Sequence, residues 1–172
     1  MPRDPLANPG PLIRRVYAYV AYRIGDGPEA EDVTSDAIER ALRYRASYDP
    51  KRGEPVQWLI GIARRCIEGE RLRPRPATSA EDIADPLDVE AETLERLTLG
   101  QAVARLDERD RELLALRYGS DLSARQIGEL LDLRTNAVEV ALHRALGRLR
   151  KLLEGDEEAA DEAGLTTRSS TL

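Results

Sequence analysis

Residues 123–153, SARQIGELLDLRTNAVEVALHRALGRLRKLL, carry two helical apolar stripes of unequal length separated by a short gap. Ser123 with Gln126 three residues on is a capping-box pattern. It opens a short helix that buries Ile127, Leu130 and Leu131. Asp132-Leu133-Arg134 then forms a tight turn, in which Asp132 can adopt the left-handed conformation such turns commonly need, at a modest cost relative to glycine. Beyond it, Val138, Leu142, Ala145, Leu146, Leu149 and Leu153 share one face of a longer helix. The pattern predicts a helix-turn-helix; the competing reading is an ordinary helical hairpin with solvated charges. With the apolar face inward, the opposite face offers Asn136, Glu139, Val140, His143, Arg144 and Gly147. A recognition helix enters the major groove by its N-terminal part, which puts Arg134, Thr135, Asn136, Glu139 and Val140 near base edges. His143, Arg144 and Arg148 fall nearer phosphates. Asn136 suits an adenine edge and Glu139 a cytosine amino group. Ser123, Arg125 and Gln126 of the first helix complete the expected DNA-binding set.

Reading outward towards the N-terminus, Asp107 is an N-cap for the helix DERDRELLALRY, and Leu99, Ala102, Val103 and Leu106 stripe a helix before it. The segment 74–88, PRPATSAEDIADPLD, has three prolines, many acids and no apolar period, so it predicts a flexible linker. Further back, Val56, Leu59, Ile60, Ala63 and Ile67 stripe one helix. Ala30, Val33, Ala37, Ile38, Ala41 and Leu42 stripe a second, with Pro28 in its first turn. Leu12, Val16, Tyr19, Val20 and an Arg23 with a buried stem stripe a third, stopped by Gly25-Asp26-Gly27. Strand signals are nearly absent. The expectation is an all-α chain of two small helical domains: 1–75, an acidic linker 76–94, and a helix-turn-helix domain 95–153. An acidic tail 154–172 has too little apolar surface to fold alone. That tail reads as a solubilising disordered end, or as a charge competitor folded back on Arg134–Lys151.

The formal net charge of -6 runs against nucleic-acid binding, which Lys and Arg drive by releasing counterions. The distribution restores the case. Acid is gathered in 81–95 and in the tail, whereas base is gathered in Arg64, Arg65, Arg71, Arg73 and Arg75 and again in Arg134, Arg144, Arg148, Arg150 and Lys151. No apolar run approaches the ~20 residues that span a bilayer and the start lacks the order of a signal peptide, so the expectation is a cytoplasmic chain without membrane insertion. The single Cys66 can form neither an internal disulfide nor a zinc site. With one histidine, His143, and no Gly-rich phosphate loop, no catalytic grouping is identifiable. An enzyme is not expected, nor a cofactor or metal.

The order of these motifs resembles the extracytoplasmic-function (ECF) sigma factors of bacterial RNA polymerase. Residues 106–153 are similar to the promoter-element-binding domain of that family, in which a helix rich in Arg and Leu precedes a Ser-capped helix, a turn, and a helix ending in an Arg-Ala repeat, here Arg144-Ala145. GPEAEDVTSDAIERALRYRASYD, 27–49, resembles the family's acidic-apolar helix, and PVQWLIGIARRCIEGERLR, 55–73, its Trp-Leu...Ile-Ala-Arg helix. The resemblance implies a factor that carries core polymerase to a promoter and helps open the DNA. It assigns Asp32, Val33, Asp36 and Ile38 to the polymerase clamp, and Arg64, Arg65, Arg71 and Arg73 to upstream promoter DNA near the melted element. Asp49, Lys51 and Arg52 fall in the loop that captures an unstacked base; Trp58 beside them reads more as core than as a melting wedge. It also implies an anti-sigma partner and a free form that is monomeric. Departures are Ser35 for a usual Gln, Arg65 for Asn, Asp107 for Pro and Gln126 for Glu; Glu139 and Ala141 stand where Lys and Arg are frequent, which removes positive charge from the DNA-facing helix. Two other readings stay open: a conventional helix-turn-helix regulator, and a sigma mimic that sequesters an anti-sigma factor.

Overall fold

A computed structural model describes residues 4–71 and 91–168. In these residues the chain forms α1 (Pro9–Ile24), α2 (Pro28–Tyr44), a 3-10 turn (Arg45–Ser47), α3 (Pro55–Arg71), α4 (Ala91–Arg105), α5 (Glu108–Leu114), a π-helical turn (Ala115–Gly119), α6 (Ala124–Leu131) and α7 (Thr135–Arg168). No strand is present among the described residues, and none of their helices is long and apolar enough to cross a membrane.

The first unit is a three-helix bundle. Val16, Tyr19 and Val20 of α1, Val33, Ala37 and Ala41 of α2, and Val56, Leu59, Ile60, Ala63, Cys66 and Ile67 of α3 are buried together. Each fully buried aliphatic side chain contributes roughly 1.5–3 kcal/mol. Gly25 and Gly27, at φ +96° and +129°, end α1 and turn the chain into α2, where Pro28 occupies the first turn. Leu42 is 52% exposed: expected on the buried stripe, it lies on the outer face of α2 because Ala41 fills the inward position.

In the second unit α4, α5 and α6 pack against α7, and the π turn packs against α5 and α6. Asp107 caps α5 by accepting the Asp110 amide at 2.8 Å. The expected continuous helix to Tyr118 instead widens after Leu114, and the Ser120 amide reaches back to the Ala115 carbonyl at 3.0 Å. Leu99, expected in the stripe of α4, is exposed, while Ala102, Val103 and Leu106 are buried. The linker 76–94 lies outside the described residues except for its last four, which begin α4.

The acidic tail differs most from expectation. α7 continues through it to Arg168, and Asp156 bonds Arg105 of α4 at 2.7 Å rather than turning back on Arg134–Lys151. Lack of apolar surface argues against a segment folding alone, but propagation from an existing helix avoids the costly nucleus, and Ala and Glu are strong helix formers.

The two units also pack on each other. Their buried side chains form one cluster from Val16 to Ala145, and α1 lies against the π turn and α5.

Candidate nucleic-acid interface

The helix-turn-helix is set by local bonds. Ser123 Oγ accepts the Gln126 amide at 3.2 Å and Gln126 Oε1 accepts the Ser123 amide at 2.9 Å, so both capping-box bonds are present. Asp132 sits at φ 56°, ψ 47°, left-handed, and its amide and that of Leu133 both donate to the Gly128 carbonyl. Val138, Leu142 and Ala145 turn inward on α7. Arg134, Thr135, Asn136, Glu139, Val140, His143 and Arg144 are consequently all exposed on its outer face. Val140 is 50% exposed, an apolar side chain of the kind that meets a thymine methyl in the major groove. Arg148 is exposed but committed: it bonds the buried Asp110 carboxylate at 2.7 Å and ties α7 to α5. Ser123 and Gln126 are engaged in the cap, and Arg125 pairs with Glu129 one turn on at 3.0 Å.

A second surface lies on the first unit, around the loop between α2 and α3. A cleft of about 670 Å³ is lined by Arg40, Tyr44, Tyr48, Arg52, Trp58 and Arg65, among others. Trp58 is half-buried, and its ring stands 5.5 Å from that of Tyr48 at 58°; it both packs and faces the cleft. The loop is pinned by the Tyr48 hydroxyl donating to the Gly53 carbonyl at 3.0 Å, by the Lys51 amide donating to Asp49 at 3.0 Å, and by the Glu54 amide donating to Gln57 at 2.9 Å. Gly53, at φ +146°, lies directly over Gln57, where a Cβ would meet the amide at 3.0 Å. Aromatic rings interleaved with guanidinium groups suit stacked bases and their phosphates. Sequence reading named Arg52, Trp58 and Arg65 but missed Arg40, Tyr44 and Tyr48; the signal was three aromatics flanking one short loop.

The arginines of α3 diverge. Arg65 faces the cleft, and Arg73 lies outside the described residues. Arg64 and Arg71 turn towards the second unit. Arg64 Nε donates to Glu112 at 2.6 Å, and Arg71 bonds Glu108, whose carboxyl is held below the usual range chiefly by that bond. Between them Arg23, only 4% exposed, reaches the Tyr19 hydroxyl at 2.7 Å, Glu112 at 3.1 Å and Glu108 at 3.3 Å.

On α2, Asp32 is exposed, and Asp36 and Ile38 are half-buried. Asp36 pairs with Arg40 at 2.9 Å. Val33 is 3% exposed, inside the bundle core, so it shapes this face without being available to touch a partner. The outer row of α2 is Asp32, Ser35, Glu39 and Leu42, at helical spacing and all exposed.

Family models match both units: Sigma-70 region 2 over residues 11–73 and Sigma-70, region 4 over residues 96–149. The ECF RNA polymerase sigma factor RpoE of Cereibacter sphaeroides is 30% identical over 131 residues, covering 72% of this chain and 71% of that protein. The ECF RNA polymerase sigma factor BldN of Streptomyces coelicolor is 30% identical over 150 residues, 82% of this chain; the chain spans 57% of BldN's length. Among solved structures, the sigma factor RpoE in complex with the anti-sigma factor NepR from Bartonella quintana matches with a TM-score of 0.62 at 17% identity, covering 83% of this chain and 92% of that one. CnrH in complex with the cytosolic domain of CnrY matches with a TM-score of 0.60 at 24% identity, covering 85% and 82%. These two share the fold. With both region models matched in order on one chain, and an ECF relative matched over most of its length, the chain belongs to the ECF RNA polymerase sigma factors.

Proposed function

We propose that this chain binds core RNA polymerase and directs it to specific promoters, supplying address and strand separation while the polymerase carries out the chemistry. The observation that carries the reading is the presence, in one chain, of two different surfaces whose chemistry suits DNA: the exposed outer face of α7 on a capped helix-turn-helix, and an aromatic, basic cleft. The first suits duplex DNA read in the major groove. The second suits an unstacked base with its flanking phosphates, held by the loop Asp49–Glu54 with Lys51, Arg52 and Trp58. Arg64, Arg65, Arg71 and Arg73 then serve the DNA next to the melted segment. Asp32, Asp36 and Ile38 on α2, extended by Ser35, Glu39 and Leu42, form the face for the polymerase clamp. An anti-sigma factor is the expected inhibitor, by likeness to relatives whose structures hold one. Such a protein acts in the cytoplasm and has no catalytic activity of its own.

The experiment is reconstitution with sigma-free core polymerase, assayed by co-elution and by run-off transcription on a genomic-fragment library that includes the chain's own upstream region. We expect a stable complex and discrete transcripts that depend on the protein. Affinity for duplex DNA without core binding would point to a conventional regulator. Capture of an anti-sigma factor without either activity would point to a mimic.

A further inference from the structure

We propose that the cleft seats one unstacked base over a bare patch of α3 at Gly61, and that Arg65 reads the edge of that base and selects guanine or cytosine. The inference deepens the proposed function and rests on its reading of the cleft as a seat for an unpaired strand. It moves Arg65 from the flanking DNA to the captured base itself.

Trp58, Gly61, Ile62 and Arg65 all line the cleft, at the spacing of three and four residues that puts them along one face of α3. Trp58 and Arg65 stand two turns apart, about 10 Å along the helix axis, with Gly61 between them. A Cβ built at Gly61 would meet nothing within 4 Å, and its φ is not positive, so neither a neighbour nor the backbone requires a glycine there. Glycine inside a helix is destabilising relative to alanine. What it leaves is a notch with an indole at one end, braced by the Tyr48 ring at 5.5 Å, and a guanidinium at the other. Aromatic rings accept the face of any base; choice among bases has to come from polar groups at the edge.

Most polar groups of the cleft are already engaged. Asp36 holds Arg40 at 2.9 Å. The Tyr48 hydroxyl donates to the Gly53 carbonyl, the Ser47 hydroxyl donates to the Tyr44 carbonyl at 2.7 Å, and one Asp49 oxygen accepts the Lys51 amide. Gln57 is used at both ends, accepting from the Glu54 amide and donating to Glu129 at 3.1 Å. Arg52 and Arg65 are exposed, and their guanidinium groups make no hydrogen bond or ion pair with another described residue. Arg52 stands in the loop, where it suits a phosphate; Arg65 stands on α3 beside the notch. A guanidinium is a fork of donors with no acceptor. It pairs with two adjacent acceptors, which guanine offers at O6 and N7 and cytosine at O2 and N3. Adenine sets its amino donor between N1 and N7, and thymine sets its N3–H between O2 and O4, so neither offers such an edge.

The test uses the full chain and fluorescein-labelled single strands in which one A, C, G or T stands among abasic sites, so that only the captured base varies. Anisotropy is expected to show guanine or cytosine bound about tenfold more tightly than adenine and thymine. Arg65→Lys, which keeps the charge but not the fork, is expected to level the four bases. Gly61→Leu, which fills the notch, is expected to level them while raising the urea midpoint, because leucine is the better helix former. A glycine with a merely structural role would not give that split. Equal binding of the four bases by wild type, preference for adenine or thymine, no measurable binding, or a preference that survives either substitution would overturn the proposal. If Gly61→Leu loses helicity by circular dichroism, Arg65→Lys decides. Co-elution with sigma-free core, measured alongside, separates the two readings. Its failure with base preference intact sinks the sigma reading alone, and core binding without base preference sinks this inference alone.

Discussion

A Cβ added at Gly128 would sit 2.5 Å from the Leu133 carbonyl oxygen, well inside van der Waals contact, so Gly128→Ala must push the start of α7 away from α6. We expect a loss of about 1–3 kcal/mol, as for other overpacked sites, read from the urea midpoint; an unchanged midpoint would contradict the tight turn. At Asp132 the left-handed backbone favours glycine, so Asp132→Gly should stay within about 1 kcal/mol of wild type or gain slightly. Cys66 behaves differently. It is 2% exposed, and burial pushes its thiol up to about 11, so at neutral pH it is both protonated and shielded. A thiol reagent should label the native chain slowly and the denatured chain at once. Rapid native labelling would place Cys66 outside the bundle core.

Among the elements, α6 has only eight residues, too short to persist on its own, and depends on its cap and on packing. Ser123→Ala removes the capping-box acceptor and should cost about 1 kcal/mol in equilibrium unfolding. On α7, Arg144→Ala should weaken DNA binding evenly across sequences and lower the salt slope by about 1, whereas Asn136→Ala should relax preference at one base position. A salt-independent loss at Arg144 would place it on a base edge. These expectations come from features legible in the sequence, because caps, turns and the inward face of α7 are fixed within a few residues of one another. What could not be read depends on distant partners. The widened turn Ala115–Gly119 has ordinary helical periodicity in sequence, and the backbone it meets at Gly119, that of Ala18, lies about a hundred residues away. Nothing near Glu108 and Glu112 in the sequence marks their partners, Arg23, Arg64 and Arg71, which α1 and α3 supply. Leu42 and Leu99 fell on apolar stripes, yet both are exposed; beside Leu42 it is the smaller Ala41 that faces the core.

For the whole molecule, the contact between the two units carries a pH dependence. The Glu108 carboxyl is held low by the bond from Arg71, with Arg23 and Arg111 adding to the effect. A pKa lowered where the units touch means that this contribution is present above the ordinary carboxylate range, near pH 4. It is lost as pH falls through the lowered value. Acidification into that range should therefore expand the molecule before helical circular dichroism falls, and Glu108→Gln should abolish that early expansion. On the proposed function, the recognition helix takes duplex DNA and the cleft takes an unpaired strand once the chain is on the polymerase. The most direct test of that function is permanganate reactivity of a promoter found by run-off. With core polymerase and this chain together, thymines in one short stretch upstream of the transcript start should become reactive, and with either component alone they should stay protected. Binding of the chain to the promoter without any reactive thymines, or opening by core alone, would contradict the account.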